Sequence, residues 1–534
     1  MLEKIIPHRI IYLFFLSVLL FGISTGKFFM SIGTIGLSVN WFFEGGGRAK
    51  LQRLKNHSYS ALILASAYLI HLIWLFNTDN LQYASKDLLV KLPLLLIPIV
   101  IGTTKALSNK EIKTLLIVFI SGLLISTTLS TLVYLNVIPP KESQENYFQI
   151  SLFMSHIRMG LLVSFTSLLL FYIATFHRVK NKKALYLIGL WLFVFLFLLQ
   201  SVTALISWFL GFTIFALWKK DKKVISRRYF TFIWLVVLLS SATYFVLIAQ
   251  DFYKIKDTRE ISNLPEKTIS GELYHHDTIN KYTENGCYVW LCIAPNEVKR
   301  AWNNRSKIDI DSTDFKNQKI RYTLYRYLTS LGLNKDSIGI YQLTKIDIAS
   351  IELGNTSHIK YTKFEQRIRG IFLELKLYFD GIETNGHSVS QRLFFFELGY
   401  KIIKENFYFG VGSGDINDAY KEQYLLTPND LHIDNQMRSH NQFLSYFVSY
   451  GLIGFIFWLF TFVSPMFLTN KLQPIYLIFI TIMVAGFISD DMLERQAGVA
   501  IYITINAILL YAIYSNEGAS NVLERTKRTP NINS

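Results

Sequence analysis

RSHNQFLSYFVSYGLIG, Arg438 to Gly454, runs from a polar segment straight into a hydrophobic helix. It closes a longer stretch that opens with SVSQRLFFFELGYKII (Ser388 to Ile403) and passes a glycine turn, NFYFGVGSGD (Asn406 to Asp415). Arg392, Arg438 and His440 fall near that junction. Cations clustered where an aqueous loop meets a bilayer suit a lipid-linked phosphate, because guanidinium groups grip phosphate oxygens in a bidentate fork. The remainder of the chain reads as scaffold for this junction or cover over it.

Working outward, the 534 residues are 51% hydrophobic and 15% aromatic, with a mean hydropathy of +0.30. Only 17% are charged, against about 25% in an ordinary soluble domain. Many apolar runs approach the roughly 20 residues that cross a bilayer. The expected fold is therefore an all-α polytopic membrane protein. Twelve spans are expected, near 9–26, 28–43, 58–76, 84–101, 112–137, 156–176, 184–200, 201–218, 229–250, 441–467, 473–489 and 497–515. The first run has no small-residue cleavage site before Lys27 and reads as a retained helix. The second is short and holds Gly33 and Gly36, which fits a tilted or re-entrant segment. Spans seven and eight share a tight turn around Gln200 and Ser201.

The formal charge of +16 does not point to nucleic acid, because the excess lies in alternate short loops, where it sets orientation. The segments 44–57, 102–113, 177–183 and 219–228 are rich in Lys and Arg, and the tail adds Arg525, Lys527 and Arg528. These are expected to be cytoplasmic, with both termini inside and the long insert, about Gln250 to Ser439, outside. The division that follows is 1–250 (nine spans), 251–439 (a large periplasmic loop subdomain), 440–515 (three spans) and 516–534 (a cytoplasmic tail). Apolar periodicity in YTLYRYLTSLGL (Tyr322 to Leu333) and QRLFFFELGYKII (Gln391 to Ile403) predicts amphipathic helices in the insert. Cys287 and Cys292, both in the insert, stand ready for a disulfide outside the cell, provided that the chain bends between them.

His440-Asn441, nine residues and then Gly451-x-x-Gly454, entering a membrane helix from a large outer loop, resembles the O-antigen ligase and polymerase superfamily. The Arg392 helix followed by FGVGSGD fits the same family, as does the big loop before the last few spans. The insert's ENG turn (Glu284 to Gly286), AWN (Ala301 to Asn303) and RYLTSLGLNKDS (Arg326 to Ser337) look like the form common in Bacteroidota. The resemblance implies a GT-C-like inner-membrane glycosyltransferase without cofactor or metal. Such enzymes take a glycan from undecaprenyl diphosphate, join it to an acceptor hydroxyl and invert the anomeric carbon. On this reading His440 removes the acceptor proton, as a histidine near neutral pH can. Arg392 grips the diphosphate, with Arg158 and Arg438 beside it. Asn441, Gly412, Gly451 and Gly454 support the site.

Each residue also has a plainer reading. His440 would be an interface anchor at a helix end, Arg392 a solvated helix-face arginine and Arg438 an ordinary loop charge. Arg158, in SHIRMG with His156, would snorkel to the surface. Many family members carry Ser-Arg after the tight turn; here LLQSVTALISW (Leu198 to Trp208) has Ser201 followed by valine. Either Arg158 supplies that charge or the correspondence is shifted. Gly410-x-Gly412-x-Gly414 lacks the dinucleotide spacing and is expected to turn the backbone beside the site. Asp490, Asp491 and Glu494 read as polar caps on a short loop, with cation binding or help in proton removal as the alternative. His275-His276-Asp277 reads as surface.

The expected function is O-antigen ligase with lipid A-core as acceptor. A repeat-unit polymerase and a protein O-oligosaccharyltransferase share the motif. A transporter of the same lipid is a different class, against which the few charges within spans speak. A non-catalytic assembly partner would be told apart by activity that survives loss of His440.

Overall fold

A computed structural model gives the fold over residues 7–57, 59–139, 150–218, 227–257, 259–280, 282–381, 388–429, 431–468 and 473–513. The basic segment 219–226 and the tail from 514, both used above to argue orientation, lie outside the described residues. The chain forms two compact units, one of residues 1–232 with 383–534 and one of Ile233–Ile382. Residues 383–439, which the sequence assigns to the insert, group with the helical unit.

Among the described residues, six helices are long and apolar enough to cross a membrane: His8–Thr25, Asn109–Tyr134, His156–Phe176, Lys182–Leu199, Trp234–Tyr253 and Gln442–Leu468. Shorter apolar helices are Ala67–Asn77, Val202–Leu217, Pro474–Ser489 and Gln496–Ala512. Local chemistry starts and stops them. Ser108 and Glu111 form a capping box ahead of Asn109–Tyr134, satisfying amides that the first turn leaves unpaired. Ser155 and Ser201 cap the helices that follow them. Gln200 takes a left-handed φ of 53°, which makes the tight turn expected there. The expected span at 84–101 is a broken pair, Leu81–Lys91 and Pro93–Thr103; Pro93 starts the second piece, having no N–H to continue the first. The core is aromatic around Trp458, whose ring lies within 4.8–6.0 Å of those of Tyr446, Phe443, Phe462 and Phe487.

Gln442–Leu468 is not one continuous helix. Gly451 has φ 59° and ψ −168°, and the hydrogen bonds lost at that break are taken up by the glycine turn. Val411 and Gly412 donate their N–H groups to the carbonyls of Val448 and Ser449, each at 2.9 Å. In return Leu452 and Ile453 donate to Phe407 and Tyr408 at 2.8 and 3.2 Å. The turn's other side is held by Trp74, whose Nε1 donates to Phe409 O at 2.6 Å, and by Asn77, whose Nδ2 donates to Gly410 O at 2.8 Å. Asp415 accepts from the backbone N–H of Asp79 and Asn80. Gly412, at φ 102°, has Asn77 O only 2.0 Å from where a Cβ would sit. Gly412→Ala should therefore combine a strained backbone, about 1–3 kcal/mol, with a clash against main chain. A clear fall in unfolding temperature is expected; unfolding like wild type would mean that the turn does not lock the break.

The unit Ile233–Ile382 has its own core, with Trp302, Leu324, Leu328 and Ile351 all fully buried. The expected helix at Tyr322 is Ile320–Ser330. Thr283–Glu284 and Cys287–Tyr288 pair as a two-stranded hairpin across Asn285 and Gly286, the ENG turn of the sequence. Asn285 and Gly286 have φ of 51° and 83°, the paired positive values of a tight hairpin turn. Cys287 and Cys292 are free thiols.

Candidate functional site

The site assembles where Gln442–Leu468 begins. Asn441 caps that helix: its Oδ1 accepts from Leu444 N–H at 3.0 Å while its Nδ2 donates to Ile488 O at 3.0 Å. One amide side chain thus fixes both the helix start and the end of Pro474–Ser489. Immediately before it, His440 sits at a left-handed φ of 49°, a costly conformation for a residue with a Cβ and one that concentrates at functional sites. Gln442 Oε1 accepts from Leu493 N–H at 2.6 Å. That bond draws the short loop holding Asp490, Asp491 and Glu494 against the helix start.

Charges around this loop fall into two layers. In the first, Arg158 Nη2 meets Asp490 Oδ2 at 2.7 Å, and His440 Nδ1 stands 3.8 Å from the other oxygen of the same carboxylate. His440 Nε2 lies 3.3 Å from Met437 Sδ, and its ring is 6.1 Å from that of Phe395. Phe395 is three residues after Arg392 in the helix Ser388–Glu405, so the two share a face. The Arg392 charge also acts on Asp490. Burial opposes ionisation of Asp490, but His440, Arg158 and Arg392 together overcome it and hold the carboxyl below its usual range. The His440 side chain is 32% exposed, against 12% for Arg158 and 10% for Asp490. The imidazole is therefore more open to solvent than Arg158 or Asp490.

The second layer is buried. Arg438 pairs with Asp491 at 3.1 Å and with Glu494 at 3.3 Å. Lys91, only 2% exposed, bridges Glu494 at 2.8 Å and Asp87 at 2.7 Å. His71 Nδ1 is 3.8 Å from Asp87 and 2.5 Å from the hydroxyl of Tyr450. Ser445 Oγ donates to Asp491 at 2.8 Å. Glu494 is held low in spite of its burial by Lys91 and Arg438, whereas for Asp491 burial outweighs Arg438 and the carboxyl is raised.

The opposite shifts in neighbouring acids make a pH test. A carboxyl with a raised folded-state pKa carries no penalty below the unfolded value of 3.8; the penalty grows as pH rises through the folded pKa. Asp491→Asn, which keeps the shape, should thus gain stability relative to wild type between pH 4 and neutrality. Thermal unfolding at several pH values checks this, and a gap that is constant or widens toward acid would refute it.

Of the residues read from the sequence, His440, Arg392 and Arg158 meet around Asp490. Arg438 instead spends its guanidinium on the buried acids. Gly412 and Gly451 form the interlocked turn, and Gly454 packs under Trp74, whose ring lies 2.8 Å from where a Cβ would stand. From sequence Asp490, Asp491 and Glu494 read as loop caps, with cation binding or help in proton removal as the alternative, and Lys91, Asp87 and His71 are not singled out. A signal was present: Asp87 and Lys91 stand four apart inside an expected span, a setting where ionisable residues are costly. His275, His276 and Asp277 belong to the unit Ile233–Ile382. Among the described residues no cluster of three or more His, Cys, Asp or Glu side chains is arranged to hold a metal ion.

A family model described as O-antigen ligase matches residues 187–459, a little over half of the chain. The matched span takes in Arg392, Arg438 and His440, while Arg158 and the acidic loop lie outside it. No curated protein matches the chain.

Proposed function

Because this chain belongs to the O-antigen ligase family of ligase- and polymerase-type membrane enzymes, we propose that it moves a glycan from undecaprenyl diphosphate to an acceptor hydroxyl, with lipid A-core as the acceptor. It works at the outer face of the inner membrane, both termini inside. The observation that carries this reading is the triangle of Arg158, Asp490 and His440 with the Arg392 charge on the same carboxylate. Two guanidinium groups and one accessible imidazole are what the reaction needs.

His440 takes the proton of the acceptor hydroxyl, and the freed oxygen pair attacks the anomeric carbon from the face opposite the diphosphate. The bond from that carbon to the phosphate oxygen breaks, and its electrons leave with the lipid diphosphate. Arg158 and Arg392 stabilise the charge that grows there. Asp490 orients the imidazole and compensates the proton it gains, as a carboxylate behind a catalytic histidine does. Arg158 Nε is buried without a partner. A buried unpaired donor is expensive, and a phosphate oxygen would satisfy it. Gly160, two residues on, packs against Ala204 and comes within 3.6 Å of Ser201 Oγ at the position of a Cβ. Arg158 thus lies beside the turn where relatives carry Ser-Arg, which supports it as the replacement. Arg438 is assigned to positioning, because its guanidinium is committed to Asp491 and Glu494.

Deleting the gene and examining surface glycans by gel and mass spectrometry tests the reading. Loss of the whole polysaccharide ladder, with bare lipid A-core and accumulating lipid-linked glycan, is expected. One repeat surviving on the core would mean a polymerase instead. Intact lipopolysaccharide with lighter glycoproteins would mean transfer to protein. No change in either would sink the proposal.

A further inference from the structure

The unit Ile233–Ile382 contains a cleft of about 680 Å³, inside the roughly 300–1,000 Å³ range of small-molecule sites. All of its lining residues belong to that unit, so it is separate from the constellation around His440. Aromatic rings, amides and ionised groups alternate around it, which is wrong for an acyl chain.

Of the four lysine and arginine side chains in its walls, three are already matched, the exposed Lys360 being the fourth. Arg326 Nε pairs with Glu284 at 2.7 Å. Arg369 pairs with Asp251 at 2.7 Å and Glu365 at 3.0 Å. Lys316 Nζ donates to Gly354 O at 2.9 Å and to Asn355 Oδ1 at 3.2 Å. A phosphate site keeps such groups open, because bidentate forks to phosphate are its source of affinity. Here the pairing does something else. It fixes carboxylate and amide groups that retain further lone pairs and N–H donors, at set positions along the wall. The same guanidinium groups brace two rings: Arg369 lies 4.0 Å from the Tyr361 centroid and Arg326 lies 5.6 Å from that of Tyr282. Immobilised planar polar edges beside immobilised ring faces match a polyhydroxylated ring, which presents hydroxyls at its rim and C–H groups on its faces.

We propose that this cleft binds an oligosaccharide, a stretch of the glycan remote from the bond being made. The assignment rests on the glycan-transfer reading for the choice of ligand but not on its catalytic residues. Its role is to hold sugar units whose binding energy is available for orienting the reacting end. Whether those units belong to donor or acceptor is left to the probes.

The test uses the full-length protein in nanodiscs, titrated calorimetrically with two probes: polysaccharide and lipid-free core oligosaccharide, each released by mild acid from the producing strain. One of them should bind, which names the source. Tyr361→Ala and Asn355→Ala should each weaken it by about tenfold or more, equivalent to ~1.4 kcal/mol. Tyr361→Phe, which keeps the ring, should bind as wild type and guards against misfolding as the cause. His440→Gln should also bind as wild type. Inorganic pyrophosphate at equal concentration should not displace the glycan. The proposal is overturned if neither probe binds, if pyrophosphate competes, or if both alanine variants bind normally. Failure here with surface glycans lost on gene deletion sinks only the cleft; binding here with surface glycans unchanged sinks only the transfer reading.

Discussion

Replacing His440 by glutamine should slow glycan transfer by about 10²–10⁴-fold, the usual share of a general base, and leave the unfolding temperature almost unchanged. The reason for expecting separation of the two effects is exposure. At 32% open, the imidazole contributes little packing, and among the described residues its ring nitrogens stand near Asp490 and the sulfur of Met437. The donor's diphosphate is assigned to Arg158 and Arg392, so the loss should fall on kcat and not on KM for the lipid-linked donor. Single-turnover transfer with purified donor and acceptor gives the split. A variant that retains transfer within a few fold would remove His440 from the mechanism and favour an assembly role. Asp490→Asn should follow in the same direction, since Arg158 and His440 both lean on that carboxylate.

Lys91→Met should be the most damaging substitution for the fold. The ammonium is buried between Glu494 and Asp87, and removing one partner of a buried ion pair costs about 3–5 kcal/mol because the opposite charge is stranded. Here two acids lose that partner, and of them only Glu494 keeps a second close cation, Arg438. The same change removes one of the holds on the acidic loop, leaving Arg438 and Gln442, so transfer should fall as well. Adding Glu494→Gln removes one stranded charge and should recover part of the stability, a coupling that a double-mutant cycle measures. If the double variant is less stable than the single one by the full cost of Glu494→Gln alone, the two residues are uncoupled and the bridge carries no stability.

The fold class and the junction at Arg438–Gly454 were legible because both rest on local signals, long apolar runs and a compact motif. Helix positions followed the apolar runs, and Gln200 with Ser201 marked its turn. The long helices stand where spans were expected, although Pro93 and the break at Ser66 divide two other expected spans into shorter pieces. His440, Arg392 and Arg158 could be named because a charge beside a membrane is conspicuous. Their common partner could not. Asp490 looks like any loop aspartate until Leu493 is seen drawn to Gln442. Arg438 shows the converse: two residues from His440, it reads as a secondary phosphate ligand or an ordinary loop charge, and only its partners' positions show the guanidinium spent. Pairings across 333 residues, such as Arg158 with the acidic loop, leave no trace in spacing.

The mortise at Gly451 has a temporal side. Trp74 and Asn77 meet Phe409 and Gly410 across 335 and 333 residues, and at about 5–20 residues per second the ribosome takes some tens of seconds to deliver the second half of that joint. Through that interval the early helices wait in the membrane with the joint open. His440 takes its place only after the joint, and the acids behind it arrive later still. On the proposed reading, the site is complete only once residues 490–494 have been made, near the end of synthesis.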